Sequence, residues 1–191
     1  MRRLIAAMKI SVDGKFGNAD GYADWVDAWS DDYDLMPQID ACVLGGRMYP
    51  GYEHYWTAIQ NAPDQPLPMT GELATPAEVE WANFAWRTTH YVLSGKLDSA
   101  LWPSTRFLRE AREVAALKQQ PGKDIYLMGG GQIVANLLDA GMLDELRLIV
   151  YPVIAGNGKA LFELTGRHEL ALRKTRQLAG ERISLVYEIG R

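Results

Sequence analysis

The sequence predicts an α/β domain: a central, mostly parallel sheet flanked by helices and finished by an antiparallel hairpin. Three observations predict it. Short apolar runs alternate with segments of helical periodicity over the first three quarters of the chain. Two of those runs, at 41–44 and 124–128, end in glycines immediately before a helix. The C-terminal stretches 169–177 and 182–189 alternate in polarity with no helical segment between them, as paired strands do.

The elements follow in order. Leu4–Ser11 is a buried strand, and Asp13-Gly14 within 12–17 supplies a turn. Asp20–Met36 reads as a helix, with Tyr22, Trp25, Val26, Trp29, Tyr33 and Met36 on one face. Asp24, Asp27, Asp31 and Asp34 fall on the opposite, solvated face, and Pro37 ends the helix. Ala41–Leu44 is the second strand, leading to a helix interrupted near Pro50-Gly51. The prolines between 60 and 76, Pro68 among them, mark a surface loop. Thr75-Pro76 opens a helix through Arg87. His90–Ser94 is a strand, Ala100–Trp102 a further short one, and Phe107–Lys118 a helix. Strand 124–128 then meets Gly129–Gly131, and a helix opens near Gln132. Leu146–Ile154 is a strong strand, followed by a turn at Gly156–Gly158 and the closing hairpin.

Composition narrows the function. The 191 residues are 48% hydrophobic and 23% charged, enough to bury one domain's core. No repeat or domain boundary is visible. With 20 basic against 24 acidic residues the net charge is -4, so nucleic acid is not an expected partner. Cys42 is the single cysteine, excluding an intrachain disulfide and fitting a reducing, cytoplasmic setting. His54, His90 and His168 make no metal-ligand pair at helical spacing, so no metal is expected. No run is long enough to span a membrane, and the apolar stretch behind Arg2-Arg3 stops at Lys9, too short for a secretion signal.

The segment Asp124–Leu138 carries the strongest chemical signal. A buried strand delivers three glycines to the start of a helix, where unpartnered amides favour an anion, usually a phosphate. It is neither G-x-G-x-x-G nor a P-loop. The stretch 42–49 repeats the strand-to-glycine pattern with Arg47 at the opening turn, and Ser94-Gly95-Lys96 adds a hydroxyl and an ammonium at a third strand end. Three such ends suggest one phosphate-rich ligand across the sheet's carboxyl edge. Asp13 either organises its turn or lines the cleft.

On these residues the chain resembles the dihydrofolate reductase-like superfamily, and within it the reductase domain of bacterial riboflavin-biosynthesis deaminase-reductases. The likeness runs nearly the whole length. Leu4–Ala7 with Ser11–Gly14 resembles the family's first strand and active-site loop, and 43–49 its G-R-x-T-Y segment. Residues 124–138 resemble its G-G-G segment. Leu143–Leu146, Tyr151–Gly158 and Leu161-Phe162 resemble the D-E-L, P-x-x-x-G-x-G and L-F run. The resemblance implies an NADPH-dependent oxidoreductase. Ala7 would meet the nicotinamide carboxamide through its backbone. Gly129, Gly130, Gly131, Gln132 and Ile133 would hold the pyrophosphate. Gly45 and Met48 would contact the cofactor, and Arg47, Ser94 and Lys96 would take the 2′-phosphate.

The chain departs from the family in two places. Gly46 and Met48 stand where arginine and threonine are usual. The position matching the acid that dihydrofolate reductases carry on their first helix is Trp29, which argues against dihydrofolate as substrate. The implied reaction is hydride transfer to a C=N or C=O of a small heterocyclic or sugar-like substrate, the riboflavin precursor 5-amino-6-(5-phosphoribosylamino)uracil being one candidate. The proton comes from water or from catalytic Asp13, a choice the sequence leaves open. No zinc-deaminase signature is present. A homodimer is expected from the resemblance. The alternatives are dihydrofolate reductase proper and a non-catalytic NADPH-sensing module.

Overall fold

Eight strands form one sheet in the order β5-β4-β3-β6-β1-β7-β10-β9 in a computed structural model that describes residues 1–26, 29–67, 71–162 and 166–190. β1 is Leu4–Ser11, β3 Ile39–Gly45, β4 Thr89–Leu93, β5 Thr105–Leu108, β6 Asp124–Leu127 and β7 Glu145–Tyr151. These six run parallel to one another. β9, Leu170–Gln177, and β10, Ile183–Ile189, add the antiparallel end. A separate ribbon pairs β2, Lys15–Gly17, with β8, Lys159–Ala160.

Alternation along β1 divides the core. Ile5 and Ala7 face the side covered by α1, Tyr49–Asn61, and α2, Pro76–Arg87. Leu4, Ala6, Met8 and Ile10 face the side covered by α3, Arg112–Lys118, and α4, Gly131–Asp139. A central parallel strand apolar on both faces requires helices on both. α2 begins where its sequence says: Thr75 and Glu78 form a reciprocal capping box with Pro76 in the first turn. Pro50 likewise sits in the first turn of α1, where its missing N–H costs nothing, so the expected interruption does not occur.

The expected helix over 20–36 is absent among the described residues, and Asp27 of its stripe lies outside them, as does Pro68 of the loop. Aspartates capture the backbone instead. Asp20 accepts from the Tyr22 amide at 2.8 Å, and Asp31 accepts from the Leu35 and Met36 amides at 2.9 and 3.0 Å. Asp34 is left-handed at φ 55. Asp31 is thus no solvated residue, and burial raises its carboxyl pKa against the pull of those amides. Most of the apolar stripe still packs inward, Trp29 lying 4.6 Å from Trp81 and 5.8 Å from Trp56, ring centre to ring centre, whereas Tyr22 is exposed. Only a 3-10 turn, Met36–Gln38, remains of the helix. Two further expectations are corrected. Ala100–Trp102 is not a strand, and Phe107-Leu108 ends β5 rather than starting α3. Pairing with β4 decides that local ambiguity for a short apolar stretch.

Candidate active site

The C-terminal ends of β3, β4 and β6 open onto a cleft of about 740 Å³. Among its lining residues the charged side chains are Arg47 and Lys159, both cations, and no carboxylate joins them. The position follows the rule that open parallel sheets bind ligands beyond the carboxyl ends of their strands.

Each glycine of 129–131 has its own reason. Gly129 is left-handed at φ 106, and a Cβ there would lie 2.6 Å from the Met8 sulfur. A Cβ on Gly131 would lie 2.8 Å from the Phe16 ring. Gly130 has nothing within 4 Å, so its missing side chain leaves space that no part of the protein uses. Gly130 is also the N-cap of α4, which no side chain caps. The amides from Gly130 through Gln132 to Ile133 therefore lack intrahelical partners at the cleft wall. An unfilled cradle, free amides and acid-free walls fit a bound diphosphate.

Gly45 also faces open space, and Met48 forms the N-cap of α1 beside exposed Arg47. Gly46 explains its own departure from the family pattern: a Cβ there would lie 2.5 Å from Ser94 Oγ. Ser94 and Lys96 stand outside the lining, Ser94 adjoining it through Gly46. Ser94 Oγ accepts from the Lys96 and Leu97 amides at 3.2 and 3.0 Å. Arg109, which the sequence did not single out, donates to the carbonyls of Ser94 and Leu97 at 2.7 and 2.6 Å and fixes that turn. Ala7 is buried in the centre of β1 and does not line the cleft. β6 pairing ends at Ala6–Leu127, so β1 runs on past β6.

Asp13 holds the turn after β1. It accepts from the Ser11 hydroxyl at 2.6 Å and from the Ala155 and Gly156 amides at 2.9 Å each. These donors, the hydroxyl foremost, hold its carboxyl at about 2, so it is ionised at neutral pH. Lys159 and Phe16 also line the cleft, and neither was singled out from the sequence. The signal for Lys159 was the G-N-G-K run, 156–159, whose partner strand β2 carries Phe16 and is far away in sequence.

Beyond β1 and β7, Tyr151 accepts from Arg182 at 3.3 Å beneath its guanidinium, 5.4 Å from the ring centre. Arg182 pairs with Asp32 at 2.7 Å, tying the β9–β10 turn to the segment before β3.

The RibD C-terminal domain model matches residues 2–183. The chain belongs to that family. Among this family member's relatives is YyaP, an uncharacterized protein of Bacillus subtilis strain 168, 28% identical over 197 residues that cover 97% of this chain and 94% of YyaP. The Thermotoga maritima diaminohydroxyphosphoribosylaminopyrimidine deaminase/5-amino-6-(5-phosphoribosylamino)uracil reductase superimposes with a TM-score of 0.61 at 11% identity, covering 99% of this chain and 57% of that one. Enterococcus faecalis dihydrofolate reductase, solved with NADP(H), gives 0.61 at 15% identity over 99% and 97% of the two chains. The family member thus has the dihydrofolate reductase-like fold. No helix among the described residues is long and apolar enough to cross a membrane.

Proposed function

We propose that this protein is an NADPH-dependent reductase that delivers hydride to a C=N or C=O of a small heterocyclic or sugar-like substrate. The observation that carries this reading is the acid-free cleft holding Arg47, Lys159 and the unfilled Gly130 cradle at the start of α4. NADPH supplies the hydride; the protein supplies binding, alignment and exclusion of water. The amides of 130–133 hold the pyrophosphate, with Gly129 giving the chain its turn. Gly45 and Met48 border the adenosine side. Arg47, Ser94 and Lys96 face the 2′-phosphate, and the backbone of Ala7 meets the carboxamide. Asp13 is ionised, so water is the proton source this geometry favours. The name of the Thermotoga neighbour supplies the candidate substrate, 5-amino-6-(5-phosphoribosylamino)uracil. The reading includes a cytoplasmic homodimer, joined through the exposed Leu170, Leu172 and Ile183 of the hairpin.

Thermal unfolding with each coenzyme tests this. A ligand at a hundred times its Kd adds about 2.7 kcal/mol, which raises Tm by roughly 5–10 °C for a chain of this size. NADPH should do so at lower concentration than NADH, and the preference should vanish in Arg47→Ala or Lys96→Ala. No shift with either coenzyme removes the proposal. Binding without NADPH oxidation over a panel of carbonyl and heterocyclic substrates selects the sensing module.

A further inference from the structure

Residues 155–161 form a strap that crosses from the end of β7 to the first residue of α4. It is fastened at several points. Asp13 accepts from the amides of Ala155 and Gly156 at 2.9 Å each. β8 pairs with β2 through Lys15–Ala160 and Gly17–Lys159. The Leu161 amide donates to Gly14 at 3.1 Å. At position 158 a Cβ would come within 2.4 Å of the Gly17 carbonyl, and one on Gly131 within 3.1 Å of the Leu161 carbonyl, so glycines allow the backbones to touch. This strap brings Lys159 into the wall of the cleft. Lys159 has no ion-pair partner among the described residues, and its Nζ lies 3.1 Å from where a Cβ on Gly21 would stand, in room that glycine leaves.

We propose that Lys159 is a direct ligand of the coenzyme's diphosphate, and that Asp13 is a positioning residue which fixes the strap carrying it. This rests on the reading of the cleft as a dinucleotide site. An ammonium without an acidic partner among the described residues, lining the same acid-free cleft as the first residues of α4, has a diphosphate as its natural counter-ion. Asp13 reaches the coenzyme only through the strap, since its carboxylate is already engaged by three donors.

The test is direct titration of NADPH and of NADH into wild type, Lys159→Ala, Lys159→Arg, Asp13→Asn and the Lys159→Ala/Asp13→Asn double variant. Lys159→Ala should raise both Kd values by a similar factor, about tenfold, because both coenzymes carry the diphosphate. Lys159→Arg should retain most of the affinity. Asp13→Asn should weaken both coenzymes, and in the double variant add less than its separate effect, the mark of two residues acting through one element. In the coenzyme-free protein, Asp13→Asn should hasten trypsin cleavage after Lys159. Unchanged Kd values for Lys159→Ala, or a loss confined to NADPH, overturn the Lys159 assignment while leaving the dinucleotide site standing. Additive effects, or an Asp13→Asn protein that binds normally, overturn the positioning role. A wild type that binds neither coenzyme overturns the inference and the reading beneath it together.

Discussion

Gly130→Asp separates folding from binding at a single atom position. Gly130 is the N-cap of α4 with ψ 166, and nothing stands within 4 Å of a Cβ placed there. An aspartate at an N-cap improves on glycine by a few tenths of a kcal/mol, and its charge at a helix N-terminus adds about 0.3–1 kcal/mol. The coenzyme-free variant should therefore melt at the wild-type temperature or about 1–3 °C above it. Binding should move the other way. A carboxylate about 5 Å from a phosphate charge, at an effective dielectric constant of about 20, opposes it by about 3 kcal/mol. That corresponds to more than a hundredfold in Kd for NADPH and NADH alike. Differential scanning fluorimetry gives the first quantity and coenzyme titration the second. A variant that binds NADPH with wild-type affinity refutes the placement of the diphosphate at this helix.

Three other outcomes are expected. Gly131→Ala puts a methyl 2.8 Å from the Phe16 ring and 3.1 Å from the Leu161 carbonyl, so urea unfolding should show a loss of about 1–3 kcal/mol, in contrast to Gly130→Asp. His90 is buried, with Nδ1 at 2.9 Å from the Thr88 carbonyl and Nε2 at 3.2 Å from the Tyr52 hydroxyl, and desolvation lowers it to about 4 from 6.5. The unfolded imidazole protonates first as pH falls, so stability should drop by about 3 kcal/mol between pH 6.5 and 4. His90→Phe, weaker at neutral pH, should lose that part of the slope; an unchanged slope assigns it to other groups. Leu172 is 51% exposed on β9, two residues from exposed Leu170, and Leu172→Lys should shift sedimentation velocity from dimer to monomer; a wild type that sediments as a monomer ends the homodimer proposal.

Much of the site was readable in local sequence because its signals are local. A strand, a glycine run and a helix start are neighbours along the chain, so the strand–glycine–helix turn of 124–138 was legible before any tertiary contact was known. The same holds for the Thr75-Pro76 cap, the β1 alternation and the closing hairpin. Periodicity misled at 20–36 because apolar spacing reports which side chains are buried, not how the backbone gets there. Tyr33 is buried, and Trp25 and Trp29 pack partly buried against the same core, as their spacing says, yet Asp20 and Asp31 took the amides a helix needs. Gly46 looked like a lost arginine until Ser94, from another strand end, was seen to occupy its place.

The amino-acid order alone determined the parallel α/β architecture and the glycine turn at the head of α4. Only the tertiary structure decided that Lys159 shares a cleft with Arg47, that Gly130 alone of three glycines faces empty space, and that Asp13 is clamped by amides 142 and 143 positions away. The reason is physical: a capping or turn preference acts over a few bonds, whereas an electrostatic wall or a steric gap belongs to groups that meet only after the sheet has closed.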